Sequence, residues 1–253
     1  MYPSPEGCSC RMFHRSLTHL AVVVTTNHEK PYWLLGVACF CLGRLASTKN
    51  VCLSCEILFF CSLVHFHKTL IANLFRVFGF KGDVLGSLVE FDKAIELDPR
   101  QKAFSWQRGL SLYYLDRFEE GAEQFRLDVA ENPNDTEESI WCFLCESRLY
   151  GVDEARKQFL KVGRDSRAVM RNIYTVFKEG GDPESLVAEY SNGAANEYFY
   201  SSLYSGLYYE AMGKLNEAKY HIIASCKCSY GASCEDYMAS LSKVHCLSRG
   251  WIL

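Results

Sequence analysis

The residues of this chain best equipped for chemistry are its 13 cysteines and seven histidines, and their spacing limits what they can do. Cys52-x-x-Cys55 and Cys142-x-x-Cys145 each offer half of a zinc motif. A closed site needs four ligands, and neither pair has a second pair at finger spacing. His65 and His67 follow Cys55, but one intervening residue is too tight for the histidine arm of a finger. Cys142 and Cys145 share one face of a helix around Trp141 and are expected to be core cysteines. His245 and Cys246 are the nearest thing to a base beside a nucleophile. Adjacent on a helix, they point about 100° apart and cannot pair directly. His221 lies in a helix whose apolar face is Ala218, Ile222 and Ser225, so it is expected to face solvent. There is no Gly-x-Ser-x-Gly, P-loop or Gly-x-Gly-x-x-Gly, and Gly180-Gly181-Asp182-Pro183 reads as a turn. The expectation is a protein with no catalytic, metal or cofactor-binding residues, working without a chemical step. An odd number of cysteines outside any short disulfide framework points to a reducing compartment.

The elements that carry these residues follow a repeat. Phe91, Phe125 and Phe159 stand 34 residues apart, with Ser87, Gly121 and Ala155 each four residues upstream. Pro99 and Pro133 keep the same spacing downstream. That period is one helix–turn–helix unit of a tetratricopeptide (TPR) stack. The best-preserved unit spans 102–135, with Gly109 and Gly121 where two helices of a hairpin cross and a Cβ would hold them apart. Arg108 stands where an apolar residue is usual. The apolar residues Leu85, Leu88, Phe91 and Ile95 trace a helical stripe that Pro99 terminates. A weaker unit, 136–165, is capped by Asp135 or Thr136. The phase lapses over 166–197, where two short helices are expected, the second started by Asp182 with Pro183 at its first position. It returns over 198–228 with Gly206, Tyr209, Ala218 and Ile222, and a closing helix with a polar outer face is expected over 234–247. The fold class is therefore all-α, an α-α superhelix of the TPR-like solenoid kind, with an irregular or loosely packed N-terminal segment.

Residues 1–80 differ in kind. They carry seven of the cysteines, five of the histidines and a net charge of +4, against −7 for the remainder. The apolar stretches 33–43 and 57–66 fall short of the roughly 18–20 residues a spanning helix needs. A membrane tether through 31–66 stands as the third functional reading. Leu70, Ile71, Leu74, Phe75 and Phe78 form a stripe in phase to partner the helix over 83–97, making a first unit of about 68–101. Phe75 falls where a small residue is wanted, so that hairpin should pack loosely. The Cys, Phe and Leu content of this segment, joined abruptly near Phe80, resembles that of translated non-coding sequence.

Residues 82–251 resemble the TPR-like proteins of plant plastids. The resemblance rests on Trp106-Gln107-Arg108-Gly109-Leu110-Ser111-Leu112-Tyr113-Tyr114 and on 132–141, from Asn132-Pro133 to Ile140-Trp141. These stretches, with Tyr198-Phe199-Tyr200 and Gly206-Leu207-Tyr208-Tyr209, are also similar in layout to bacterial NlpI-type lipoproteins, which are TPR adaptors. The resemblance implies a chloroplast location, with the cytoplasm as alternative, and a scaffold that binds a protein or peptide. It also implies a groove lined by the first helix of each hairpin. On this sequence that groove comprises Trp106, Gln107, Leu110, Tyr113, Tyr114, Trp141, Tyr200, Tyr204 and Tyr208. Trp106 is expected to pack, and Tyr113, Tyr114, Tyr204 and Tyr208 to face the ligand. Chaperone-binding TPR domains place Lys and Asn where this chain has Trp106, Gln107, Leu110, Glu137 and Trp141, so their carboxylate clamp is absent. An apolar or aromatic-anchored segment is the expected ligand. The acidic repeat half argues against nucleic acid. Self-association, as a monomer in weak exchange with a homo-oligomer, is the alternative reading.

Overall fold

Every regular element among the residues described by the computed structural model, 83–253 without Glu235, is helical. Helix α1 (Val84–Leu97) starts where the Asp83 carboxylate accepts from Gly86 N at 2.8 Å and stops two residues before Pro99. A 3₁₀ turn, Pro99–Phe104, leads into α2 (Trp106–Tyr114), followed by α3 (Phe118–Glu131), α4 (Thr136–Tyr150) and the short α5 (Val152–Lys157). Next come α6 (Ala168–Thr175), running into a π turn over Val176–Gly180, and α7 (Pro183–Tyr190). The chain ends with α8 (Ala195–Ala211), α9 (Leu215–Lys227), the one-turn α10 (Ser229–Ser233) and α11 (Tyr237–Ser248). The start signals act as their chemistry dictates. Asp135 accepts from Glu137 N at 3.0 Å, and Asp182 accepts from both Glu184 N and Ser185 N.

Sequence neighbours pack against each other: α2 on α3, α3 on α4, α7 on α8, α8 on α9. Two hairpins, α2–α3 and α8–α9, share one design. Both first helices end in a turn with a left-handed residue, Asp116 (φ 57°) and Gly213 (φ 74°). In both, a backbone N–H reaches back five residues, Arg117 to Leu112 O and Lys214 to Tyr209 O, each at 2.9 Å. At both crossings a glycine lies under a large side chain. A Cβ on Gly109 would come within 2.7 Å of the Phe125 ring, and one on Gly206 would overlap Ile222. Gly121 lies across from Gly109, 3.5 Å from its carbonyl oxygen by the same measure.

The hairpin α4–α5 shows what happens without the glycine. Phe143 stands 34 residues after Gly109 and its ring meets Phe159 at 5.4 Å between centroids. Two rings need more room than a ring over a glycine, and α5 ends after six residues. Arg108, which replaces an apolar residue, earns its place by linking three helices: it donates to Asp92 of α1 at 2.7 Å and to Gln124 of α3 at 3.3 Å. Cys142 and Cys145 are fully buried core residues. The first unit's partner helix at 70–78 and the stretch 31–66 lie outside the described residues. Among those described, no helix is long and apolar enough to cross a membrane.

Candidate functional site

The nine groove residues, eight aromatic or apolar and one the polar Gln107, come from α2, α4 and α8, and the structure sets their rings along one buried seam. Tyr113 meets Trp141 edge-on at 5.2 Å and Tyr114 at 5.3 Å. Tyr200 stacks on Tyr204 at 6.4 Å, and Phe177 of the π turn touches both Tyr204 and Tyr208. The seam is not open. Gln107, Leu110, Tyr113, Trp141, Tyr200, Tyr204 and Tyr208 are all buried; Tyr113 is 2 % exposed and Tyr204 0 %. Only Trp106 and Tyr114 keep partial exposure. The expectation that Tyr113, Tyr204 and Tyr208 present themselves to a ligand is therefore corrected: they are core.

Several hydroxyls of the seam are fixed within the chain. Tyr204 donates to Glu137 at 2.9 Å, Tyr208 accepts from Arg156 at 3.0 Å, and Glu137 is held in turn by Arg167 at 2.7 Å. Burial raises the Glu137 carboxyl, with Arg167 and Tyr204 pulling the other way. Burial also pushes the Tyr204 phenol well up, and the Glu137 carboxylate adds to the rise.

Part of the cover is the chain's own last helix. Tyr237 of α11 meets Trp106 at 4.8 Å between ring centroids, and His245, two turns on, meets Tyr114 at 5.7 Å. The Tyr114 hydroxyl lies 3.0 Å from His245 Nδ1, joining residues 131 apart in sequence. On the other side of the ring, His245 Nε2 lies 3.1 Å from Glu210 of α8, close enough for an ion pair though not aligned as a hydrogen bond. Arg249 donates to Glu210 at 2.6 Å and sits over the Tyr114 ring. Burial alone would raise the Glu210 carboxyl, but His245 and Arg249 outweigh it and bring it down to about 2. Burial lowers His245, against the pull of Glu210. A neutral imidazole with its proton on Nε2 leaves Nδ1 free to accept from Tyr114.

The closing helix therefore differs from the expected cap with a polar outer face. Ser240 is buried, as are Met238, Leu241, Val244, His245 and Cys246, because α11 packs on α9 along one side and reaches α2 along another. His221, expected in solvent, is also buried. It stacks on Tyr209 at 5.5 Å and its Nε2 lies 2.9 Å from Glu184. The helix α9 is covered on two faces, and reading one apolar stripe captured only the first.

No protein-family model matches the sequence.

The sequence does not pick out Tyr237 and Arg249, nor the pairing of His245 with Glu210. A signal existed, since 237, 241, 245 and 249 recur at four-residue spacing on one helical face. What the sequence lacked was any mark that this face turns to α2 and α8. Outside the seam, the exposed side of α9 carries Tyr220, 70 % exposed, and Ile223 between Lys219 and Lys227, forming a shallow apolar strip with a basic edge.

Proposed function

We propose that the chain is a protein-binding scaffold of the TPR-like kind, an α-solenoid that holds a partner by surface contact and performs no chemical step. The observation carrying this reading is the repeated hairpin: two units 97 residues apart use a glycine crossing, a left-handed turn residue and the same backbone bond in the turn. Stacked hairpins of one design form extended binding surfaces, which is how such proteins work. The resemblance to plastid TPR-like proteins and NlpI-type adaptors points the same way, and with it to a chloroplast protein.

The contact surface needs to be redrawn. With Tyr113, Tyr204 and Tyr208 in the core and Trp106 and Tyr114 covered by α11, partner-facing residues are sought where a ring and aliphatics remain open, on the Tyr220–Ile223 strip of α9. Lysines at the edge of that strip suit a segment with acidic flanks and an apolar anchor.

The test is affinity capture with the full chain, wild type against Tyr220→Ala with Lys219→Glu. Both positions lie at the surface, so helicity by circular dichroism should be unchanged. The reading expects a protein retained by the wild type and lost by the variant. Retention of no protein, or of the same proteins by both, would refute it. A concentration-dependent dimer lost by the same variant would favour the self-association alternative.

A further inference from the structure

Two thiols face each other across the joint between α9 and α11. Cys226 Sγ lies 3.9 Å from Cys246 Sγ and 3.3 Å from the Ser242 hydroxyl. Both cysteines are free and buried, Cys226 at 5 % exposure and Cys246 at 0 %. The remaining described cysteines have no such arrangement: Cys142 points to Ala122 O and Glu146, and Cys228 is engaged by Ser225 O and Gly231 N.

We propose that Cys226 and Cys246 are a redox-active dithiol, a site for a small hydroperoxide, and that oxidation converts it into a disulfide clasp fastening α11 to α9. This goes beyond the scaffold reading and needs no partner to operate.

The two sulfurs are not equivalent. The neighbouring Cys246 thiol is the largest influence lowering Cys226, and burial opposes it. Cys246 moves the opposite way, its proton engaged toward Cys226. Lys243 and Lys219 contribute positive potential around the pair. Cys226, 5 % exposed against 0 % for Cys246, is the sulfur placed to meet an oxidant, and Cys246 the one placed to resolve. Burial of Cys226 to 5 % exposure favours a small oxidant over a bulky disulfide.

The steps balance. Cys226 sulfur attacks one peroxide oxygen, an S–O bond forms, the O–O bond breaks, and the hydroxide that leaves takes up a proton to become water. The Cys246 sulfur then attacks the sulfenic sulfur, forming the S–S bond and breaking S–O. The second hydroxide leaves with the Cys246 proton as water. Two thiols and one hydrogen peroxide give one disulfide and two waters, with two electrons passing from sulfur to oxygen. The bond closes the loop that carries α10 and the start of α11. It also fixes the helix whose Tyr237 and His245 cover Trp106 and Tyr114.

Tryptic mapping isolates the pair, because Cys226 lies in the peptide 220–227 and Cys246 in 244–249, while Cys228 and Cys234 share the separate peptide 228–243. The full chain is treated with hydrogen peroxide, alkylated and digested. The expected product is 220–227 joined to 244–249, about 2 Da below the sum of the free peptides and abolished by dithiothreitol. Amide exchange over 238–248 should slow on the order of 100-fold in the oxidised chain. With Cys246→Ser, the expected adduct is a dimedone-trapped sulfenic acid on Cys226. If peroxide leaves Cys226 fully alkylatable, or joins it to Cys228 or Cys234 instead, the proposal is overturned. Should Cys246→Ser fail to fold, the wild-type map alone decides between these outcomes.

Discussion

Replacing Gly206 with alanine tests the hairpin design at its tightest point. A Cβ there would overlap Ile222 Cγ1 and sit 3.1 Å from both the Ala218 carbonyl oxygen and the Ile222 backbone nitrogen. A side chain can swing away, but those backbone atoms move only if α8 and α9 separate. Overpacking of this kind costs roughly 1–3 kcal/mol, here toward the upper end. Alanine returns about 1 kcal/mol because it is the better helix former. Gly206→Ala should therefore destabilise by about 1–2 kcal/mol, lowering Tm by roughly 2–4 °C per kcal/mol for a domain of this size. Ile222→Ala alone opens a cavity at a fully buried site and should cost about 2–5 kcal/mol. In the double variant the new methyl enters the space that Ile222 left, so the two costs should fall short of adding by about 1–2 kcal/mol. Urea denaturation followed by far-ultraviolet circular dichroism on the four proteins gives the cycle. If Gly206→Ala stabilises the protein, or if the costs add within about 0.5 kcal/mol, the glycine is not there to let the helices cross.

Two further outcomes are expected. Tyr113→Ala and Tyr204→Ala should each lose about 3–5 kcal/mol as buried aromatics, whereas Tyr220→Ala, on the open face of α9, should stay within about 0.5 kcal/mol; equal effects in chemical denaturation would contradict the burial of the seam. Burial raises Glu138 from 4.5 to about 9, helped by Asp135 and Asp128. A raised folded pKa means its stabilising proton is fully present below 4.5 and lost as pH climbs through about 9, so Glu138→Gln should flatten the fall in urea midpoint between pH 7 and 9; an unchanged slope would show that Glu138 is already ionised in the fold.

Much of the local architecture was legible in the residues. Asp83, Asp135 and Asp182 mark helix starts through hydrogen bonds to amides two or three residues on. Pro99 marks an end through a clash with its own neighbour. Gly206 marks a crossing because a Cβ there would press on the α9 backbone, and Gly109 because a Cβ would meet the Phe125 ring. The shared hairpin design shows in α2–α3 and α8–α9, which use the same glycine crossing and the same turn bond.

The inner seam was legible as composition and not as exposure. A tyrosine on the first helix of a hairpin has the same sequence whether a ligand or another part of the chain lies against it. That α11 returns to Trp106 and Tyr114 depends on contacts between residues more than 120 apart, such as Tyr114 with His245, and no periodicity records a pairing made once. The same holds for Cys226 and Cys246, which are unremarkable until two helices place their sulfurs 3.9 Å apart. Helix ends, crossings and hairpins are set by interactions within about 20 residues of chain, so the sequence by itself determined them. Which aromatic face is covered, and by what, is a matter of long-range burial, and only the tertiary structure decided it.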